Sequence, residues 1–415
     1  MEKAGRDHNK MNAKIFSIIM LLNSFSTGLI VPILSLLLLD KGITLSQLAI
    51  IIGIYSLTTI VIELPSGVFA DLYGRKLTFL LSLTLTVVSF GIILFSNGFS
   101  GLAVAILFYG SGRAFSSGAM DALIIDWYVL TFGKESIHKA SVLLSVTECI
   151  GLAAGAIVGG LLPNLSQNNF PTMGKYDLNV IIKIIFIILA GIFTLLFIHE
   201  TDDGKVKEKT TLSLHLKSSA IFVKKNKTIL SVFISVAATG FAFSTLEIYW
   251  QPRFQFILNN SSLMWLLGVL AFLYFASAMC GNMMIGKLFS KIVSKHNIAY
   301  IVAKTMITVC LFTLALQNST AGFIVMYVLI YFFFGAANVI ESVILNEQIP
   351  SEKRASILSL NSLVAQAGSL MASATGSIVI YYSTIPVLWG LSATVLLLAT
   401  GATALGLYRK SKVPV

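Results

Sequence analysis

Charged side chains are scarce in this chain: Asp, Glu, Lys and Arg together make up 11% of its 415 residues. A water-soluble protein of this length needs far more charge to cover its surface, so a soluble globule is excluded. Cysteine is nearly absent. Cys149, Cys280 and Cys310 all lie in long apolar stretches, where packing as small apolar side chains is expected rather than a disulfide or metal site. His8, His138, His199, His215 and His296 fall in polar loops or at the ends of apolar runs, without the spacing of metal ligands or of acid/base pairs. No glycine-rich loop followed by Lys-Ser or Lys-Thr is present to hold the phosphates of ATP. An enzyme and an ATP-driven pump are therefore unsupported, and neither a metal nor another cofactor is expected.

Apolar sequence is what the chain has in excess, at 56% of residues and a mean hydropathy of +0.87. It gathers into twelve runs near 14–39, 45–70, 77–97, 100–129, 139–162, 178–199, 228–250, 262–285, 298–317, 320–345, 355–382 and 385–408. About 20 such residues let a helix cross a hydrocarbon core about 30 Å thick. In lipid the backbone must satisfy its own hydrogen bonds, which a helix does within one segment. The expected fold class is an all-α membrane protein with 12 transmembrane helices, in contact with the lipid bilayer.

Lys and Arg outnumber Asp and Glu by 29 to 18, a net charge of +11. In a soluble protein that excess would suggest nucleic acid. Here all but six of the 29 lie in the termini and in the loops on the same side as the termini. Lys41, Lys175 and Arg253 occupy the opposite loops, and Arg113, Lys183 and Lys304 fall within the runs. Basic loops are retained in the cytoplasm, so both termini are expected there, and no nucleic-acid partner is. A Lys-, Asn- and Ile-rich composition agrees with the cytoplasmic membrane of a low-GC bacterium. The first run follows a short basic leader and is long enough to stay in the membrane, so no cleaved signal is expected.

Residues 200–227 interrupt the pattern and divide the chain into a six-span half at 1–199, a linker, and a six-span half at 228–415. Leu212, Leu214, Leu216, Ile221 and Phe222 lie among Lys and Ser in the linker, where an amphipathic interfacial helix is expected. The halves echo one another. Lys139-Ala140-Ser141-Val142-Leu143 recurs as Arg354-Ala355-Ser356-Ile357-Leu358, and Gly67-Val68-Phe69-Ala70-Asp71 has a degraded echo at Gly286-Lys287-Leu288-Phe289. Like-oriented halves related by an axis along the membrane normal enclose a midplane site in secondary transporters.

The sharpest motif is GVFADLYGRK at 67–76. Gly67 and Gly74 are expected to allow close helix packing and a tight turn. Asp71, Arg75 and Lys76 place opposite charges at a membrane boundary, where they can pair and reach water. The whole pattern resembles the signature between the second and third spans of the major facilitator superfamily, and the resemblance covers nearly the whole chain. Other positions resemble its drug:proton antiporter branch. Arg113 resembles that branch's buried arginine, with Gly118 one place later than usual. Gly151, Gly155, Gly159 and Gly160 resemble its span-five glycine motif, with Ala156 where a proline is expected. The second half lacks that series, having Gln366, Leu370 and Ala374 at comparable places. His199-Glu200-Thr201 resembles the family's Pro-Glu-Thr. The resemblance implies two pseudo-symmetric six-helix bundles that rock to expose one site alternately. It also implies a conformational charge cluster of Gly67, Asp71, Gly74, Arg75, Lys76, Asp126 and Glu200.

Acids at membrane depth carry the expected chemistry. Glu63, Asp121, Asp126 and Glu148 lie in the first half, with Arg113 as the one clear deep cation beside them. All four cannot stay ionised without a large desolvation penalty. Asp126 is expected to pair with Arg75. Asp121 and Glu148, then Glu63, are the expected proton sites, with Arg113 as the modulating cation. A carboxyl that is neutral in one orientation and ionised in a wetter one would couple protons to movement. A substrate cavity is expected to draw on Asn23, Phe25, Glu247, Tyr249, Trp250, Asn338 and Glu341. Aromatics beside Glu247 could hold a lipophilic cation, while an interfacial aromatic belt is the alternative for Trp250. The function expected is that of a monomeric, proton-driven exporter of small amphiphilic compounds, drugs or antibiotics among them. A symporter or uniporter importing a metabolite is the alternative.

Overall fold

Apolar sequence of span length forms helices wherever no proline or polar break intervenes, and the computed structural model shows where those breaks fall. It describes residues 2–117, 119–133, 137–198, 222–224, 226–292, 296–349 and 354–410. Gly118, Glu200 and nearly all of the 200–227 linker, with its amphipathic pattern, lie outside them. Fourteen α-helices account for most of the described residues: α1 (Glu2–Gly28), α2 (Leu34–Asp40), α3 (Leu45–Tyr73), α4 (Arg75–Phe95), α5 (Phe99–Ser116), α6 (Ala119–Phe132), α7 (Ile137–Asn169) and α8 (Asp177–Phe197), then α9 (Lys227–Leu258), α10 (Trp265–Ile292), α11 (His296–Ala315), α12 (Thr320–Gln348), α13 (Arg354–Tyr382) and α14 (Ile385–Lys410). No strand occurs among the described residues.

The first and fourth apolar runs are each split in two. Around Pro32, which has no N–H to donate, the chain tightens into turns in which Ile30 N–H donates to Thr27 O and Ile33 N–H to Ile30 O. The fourth run breaks at Ser117, whose ψ of 109° leaves the helical region. Ten other helices are each long and apolar enough to cross a membrane. Together with the two split runs they are consistent with twelve crossings.

The chain groups into two compact units. Unit 1 comprises Met1–Thr44, Ile54–Lys207 and Asn260–Phe272, and unit 2 comprises Leu45–Gly53, Glu208–Asn259 and Leu273–Val415. Within the first, α1 packs on α7 and α8, and α4 packs on α5, α6 and α8. Within the second, α9 packs on α13 and α14, and α11 packs on α12 and α14. In span numbers, one meets five and six as seven meets eleven and twelve. Likewise three meets four and six as nine meets ten and twelve. The sequence repeat is thus a repeat of packing.

Small residues make these seams possible. A Cβ at Gly155 or Gly159 of α7 would collide with the carbonyl oxygens of Phe25 or Leu29 on the first run, and one at Gly151 would come within 3.0 Å of Leu21 O. Asn179 of α8 ties the seam, its Nδ2 donating to Leu29 O at 3.0 Å and to Gly159 O at 2.8 Å. In unit 2 the same approach uses one glycine from each helix: Gly240 of α9 lies against Ala365 O, and Gly368 of α13 against Ala237 O. The second half therefore replaces the glycine series rather than doing without its effect. Gly67 departs from expectation. A Cβ there would meet nothing within 4 Å, so close packing does not explain it, whereas Gly74 turns the chain at φ 88° between α3 and α4. Cys310 is buried, but Cys149 and Cys280 are exposed, so packing accounts for only one of the three.

Candidate functional site

At the α3–α4 turn the motif resolves into particular bonds. Arg75 opens α4 and forms an ion pair with Asp126 of α6. Lys76 Nζ donates to Leu195 O at 3.2 Å, near the C-terminal end of α8, where a cation meets unpaired carbonyls and the negative end of the helix dipole. Asp71 and Gly67 lie exposed on the last turns of α3. The ends of α3, α4, α6 and α8 are thus gathered at one side of unit 1.

The break between α5 and α6 builds the second grouping. It leaves Arg113 in the last turn of α5 and Asp121 in the first turn of α6. Each charge therefore sits at the helix end whose dipole favours it. Glu148 of α7 feels the charges of both, and Asp121 feels Arg113. All three side chains are exposed, Arg113 included, although the resemblance led us to expect a buried arginine. No salt bridge closes among them in the described residues, so the two carboxylates share one guanidinium at a distance. Glu63 of α3 is half-buried, and Ser66 Oγ bridges its carbonyl to Ala114 O of α5 at 2.9 and 3.1 Å.

Arg113 is not the only deep cation of unit 1. Lys183 of α8 is 1% exposed. Its Nζ donates to Ser26 O at 3.3 Å and lies 4.6 Å from the ring centre of Phe90 and 5.8 Å from that of Tyr109. A carbonyl and two ring faces hold its head. The sequence places Lys183 inside a run, but the rings around it come from other helices. Asn23 and Phe25 are half-buried on α1. Asn23 O accepts from Ser26 Oγ and Thr27 Oγ1 at 2.7 and 3.1 Å, and the Phe25 ring lies 4.7 Å from Phe186.

Unit 2 holds two further groupings along one face of α12. Tyr327, Tyr331, Phe334, Asn338 and Glu341 follow one another at steps of four and three residues, the spacing of a single helical stripe. At one end Glu341 is buried. Its Oε2 lies 3.3 Å from Lys304 Nζ of α11 and accepts from Tyr300 Oη at 2.8 Å, while Lys304 also donates to Thr239 Oγ1 at 2.8 Å. Every charge in this network has a partner.

At the other end the rings gather. Tyr274 of α10 stacks on Tyr331 at 4.5 Å, and Phe243 of α9 meets Tyr331 at 5.5 Å and Phe334 at 4.1 Å. Glu247 lies one turn beyond Phe243 on the same face of α9. It is exposed although Leu246, Ile248, Tyr249 and Trp250 beside it are all buried. Asn338 is exposed as well. Tyr249 and Trp250, the aromatics nearest to Glu247 in sequence, are packing groups here. Tyr249 Oη donates to Leu45 O at 3.1 Å, and the Trp250 ring lies 5.2 Å behind Tyr327. For Tyr249 helical spacing is the reason: a residue two places along the chain points to the other face. The stripe on α12 was the available signal for Tyr327 and Tyr331, whose hydroxyls feel the charge of Glu247.

Comparison with known proteins places this architecture. The family model of the Major Facilitator Superfamily matches residues 16–373. An uncharacterized MFS-type transporter of Bacillus subtilis (strain 168), YxaM, is 24% identical over 236 residues, covering 56% of this chain and 56% of that protein. The class B tetracycline resistance protein of Escherichia coli is 23% identical over 235 residues, covering 55% of each. The chain therefore spans little more than half the length of these curated relatives. The crystal structure of the nucleoside transporter NupG superimposes with a TM-score of 0.78 at 15% identity, over 95% of this chain and 99% of that one. A likeness at that identity concerns the fold alone.

Proposed function

This chain belongs to the major facilitator superfamily, as a multi-pass membrane transporter, and on that premise we propose that it exports small amphiphilic compounds, drugs or antibiotics among them, in exchange for protons. The observation that carries this reading is the trio Arg113, Asp121 and Glu148. A charge at the centre of a lipid-facing helix costs about 2.5–3.5 kcal/mol, so exposed charges at span depth face water rather than lipid. Two carboxylates with one guanidinium leave one acid in excess. That acid takes up a proton in one orientation of the carrier and releases it in the other. The α1–α7 glycine seam and the Arg75–Asp126 pair act in the same cycle, the first as a close helix contact and the second as a bond that favours one orientation.

In this reading the six-span halves 1–199 and 228–415 move as two bundles about the 200–227 linker. Both termini are cytoplasmic, the membrane is a bacterial cytoplasmic membrane, and the monomer is the working unit. The similarity to a tetracycline resistance protein supports export. Import of a metabolite by symport or uniport is the second reading, favoured by Ala156, which stands where the antiporter motif has proline. Everted membrane vesicles separate the two. Exchange predicts that adding a transported amphiphile to energised vesicles makes their lumen less acidic. A pH change that requires substrate loaded inside the lumen supports import and overturns export.

A further inference from the structure

We infer that unit 2 holds a binding site for an organic cation with an aromatic body, formed by the Glu247 carboxylate and the rings of Phe243, Tyr274, Tyr331 and Phe334. The inference rests on the reading of the protein as a carrier of amphiphiles and names the charge and shape of what it carries.

Burial shows that Glu247 faces an opening in protein. The apolar window of α9 is 78% buried, against 22–50% for the other long spans. On this most enclosed helix Glu247 is exposed while its sequence neighbours are not. The walls next to it are aromatic. Tyr274 and Phe334 are half-buried, with faces left open, and each packs on a more deeply buried ring, Tyr331 and Phe243 respectively. The charge of Glu247 reaches the hydroxyls of Tyr274, Tyr327 and Tyr331.

Two features point to a ligand. Among the described residues no Lys, Arg or His pairs with Glu247, and the buried Lys304 of unit 2 is already held by Glu341 and Thr239. Among the described residues the formal charge at the cage is therefore negative, and the ring faces add their own negative potential. In addition, Tyr327 is fully buried and Tyr331 is 4% exposed, yet neither hydroxyl has a hydrogen bond from the protein outside the pair. Buried hydroxyls are normally satisfied. Here one hydroxyl hydrogen is used within the pair and the other is left for an oxygen on a bound molecule. A carboxylate among ring faces selects a cation, and stacked rings select a flat or aromatic body.

The test is direct binding of radiolabelled tetraphenylphosphonium to the purified full-length protein in lipid nanodiscs, with no proton gradient. Triphenylphosphine oxide, similar in its rings but uncharged, serves as competitor. The wild type is expected to bind the cation and to be displaced poorly by the neutral compound. Glu247→Gln is expected to weaken binding at least tenfold, and Tyr274→Leu several-fold, with unchanged elution and thermal unfolding. Tyr274→Phe, which keeps the ring, retains binding and guards against a merely structural effect. Absence of cation binding by the wild type, or equal binding by Glu247→Gln, overturns the inference. Asp121→Asn separates this from the transport reading: it keeps cation binding and loses proton-driven export. Cation binding without any substrate-linked pH change in vesicles overturns the transport reading and leaves the site standing.

Discussion

Lys304 Nζ and Glu341 Oε2 lie 3.3 Å apart within unit 2, with side chains only 1% and 12% exposed. Thr239 and Tyr300 complete the bonding of the two charges. Such a pair holds its own members in place, whereas among the described residues no Lys, Arg or His forms a salt bridge with Glu247 of α9.

Removing one member of a buried pair strands the other charge and costs about 3–5 kcal/mol, whereas replacing both by apolar groups is often close to neutral. Glu341→Gln and Lys304→Met are each expected to lower the thermal unfolding midpoint strongly. The double variant Lys304→Met with Glu341→Leu is expected to recover most of that loss. A double variant whose loss equals the sum of the two singles would show that the residues are not coupled.

Asp121→Asn and Glu148→Gln are expected to abolish proton-driven efflux while leaving membrane insertion and folding intact, because both acids lie on an exposed face and neither fills a core. Efflux assays in cells with matched expression check this. Unimpaired, uncoupler-sensitive efflux in both variants would remove the proton site from this trio.

Glycine substitutions distinguish the seam from the loop motif. Gly155→Ala drives a Cβ into Phe25 O, and overpacking of this kind costs about 1–3 kcal/mol. Gly67→Ala meets nothing within 4 Å, and alanine in place of a helical glycine gains about 0.5–1 kcal/mol. The unfolding midpoint should fall for the first and hold or rise for the second. A loss of stability at Gly67→Ala would mean that the space beside it is filled in the membrane.

The Arg75–Asp126 pair lies toward the surface, its side chains 25% and 60% exposed. Such pairs contribute about 0–1 kcal/mol to stability. Asp126→Asn is therefore expected to leave the unfolding midpoint within a degree or two and to slow transport by biasing the carrier's orientation. Exchanging the charges, Arg75→Asp with Asp126→Arg, is expected to restore part of the rate, measured as initial efflux of a fluorescent substrate.

Some of the site was legible from residue type and position. Arg75 and Asp126 could be paired from the sequence because both fall at the same membrane boundary, where opposite charges are the cheapest neighbours. That one of the deep acids should lie near Arg113 followed from the cost of leaving acids uncompensated at depth, but residue type alone left open which one. The surroundings of Lys183 and of Glu247 were not legible in this way. Their partners come from helices distant in sequence: Phe90 and Tyr109 for the lysine, Tyr274 and Tyr331 for the acid.

The sequence by itself determined that this chain is helical and membrane-embedded, because in lipid a backbone of this apolarity has no hydrogen-bond partner except itself. It also determined the span lengths and the repeat. The rotation of each helix, and hence which polar side chain faces protein, water or lipid, was decided only by tertiary structure. A lipid-facing surface is as apolar as a buried one, so helices such as α6 carry no apolar stripe to orient them. Orientation follows instead from where glycines let backbones approach and where bulky rings hold them apart.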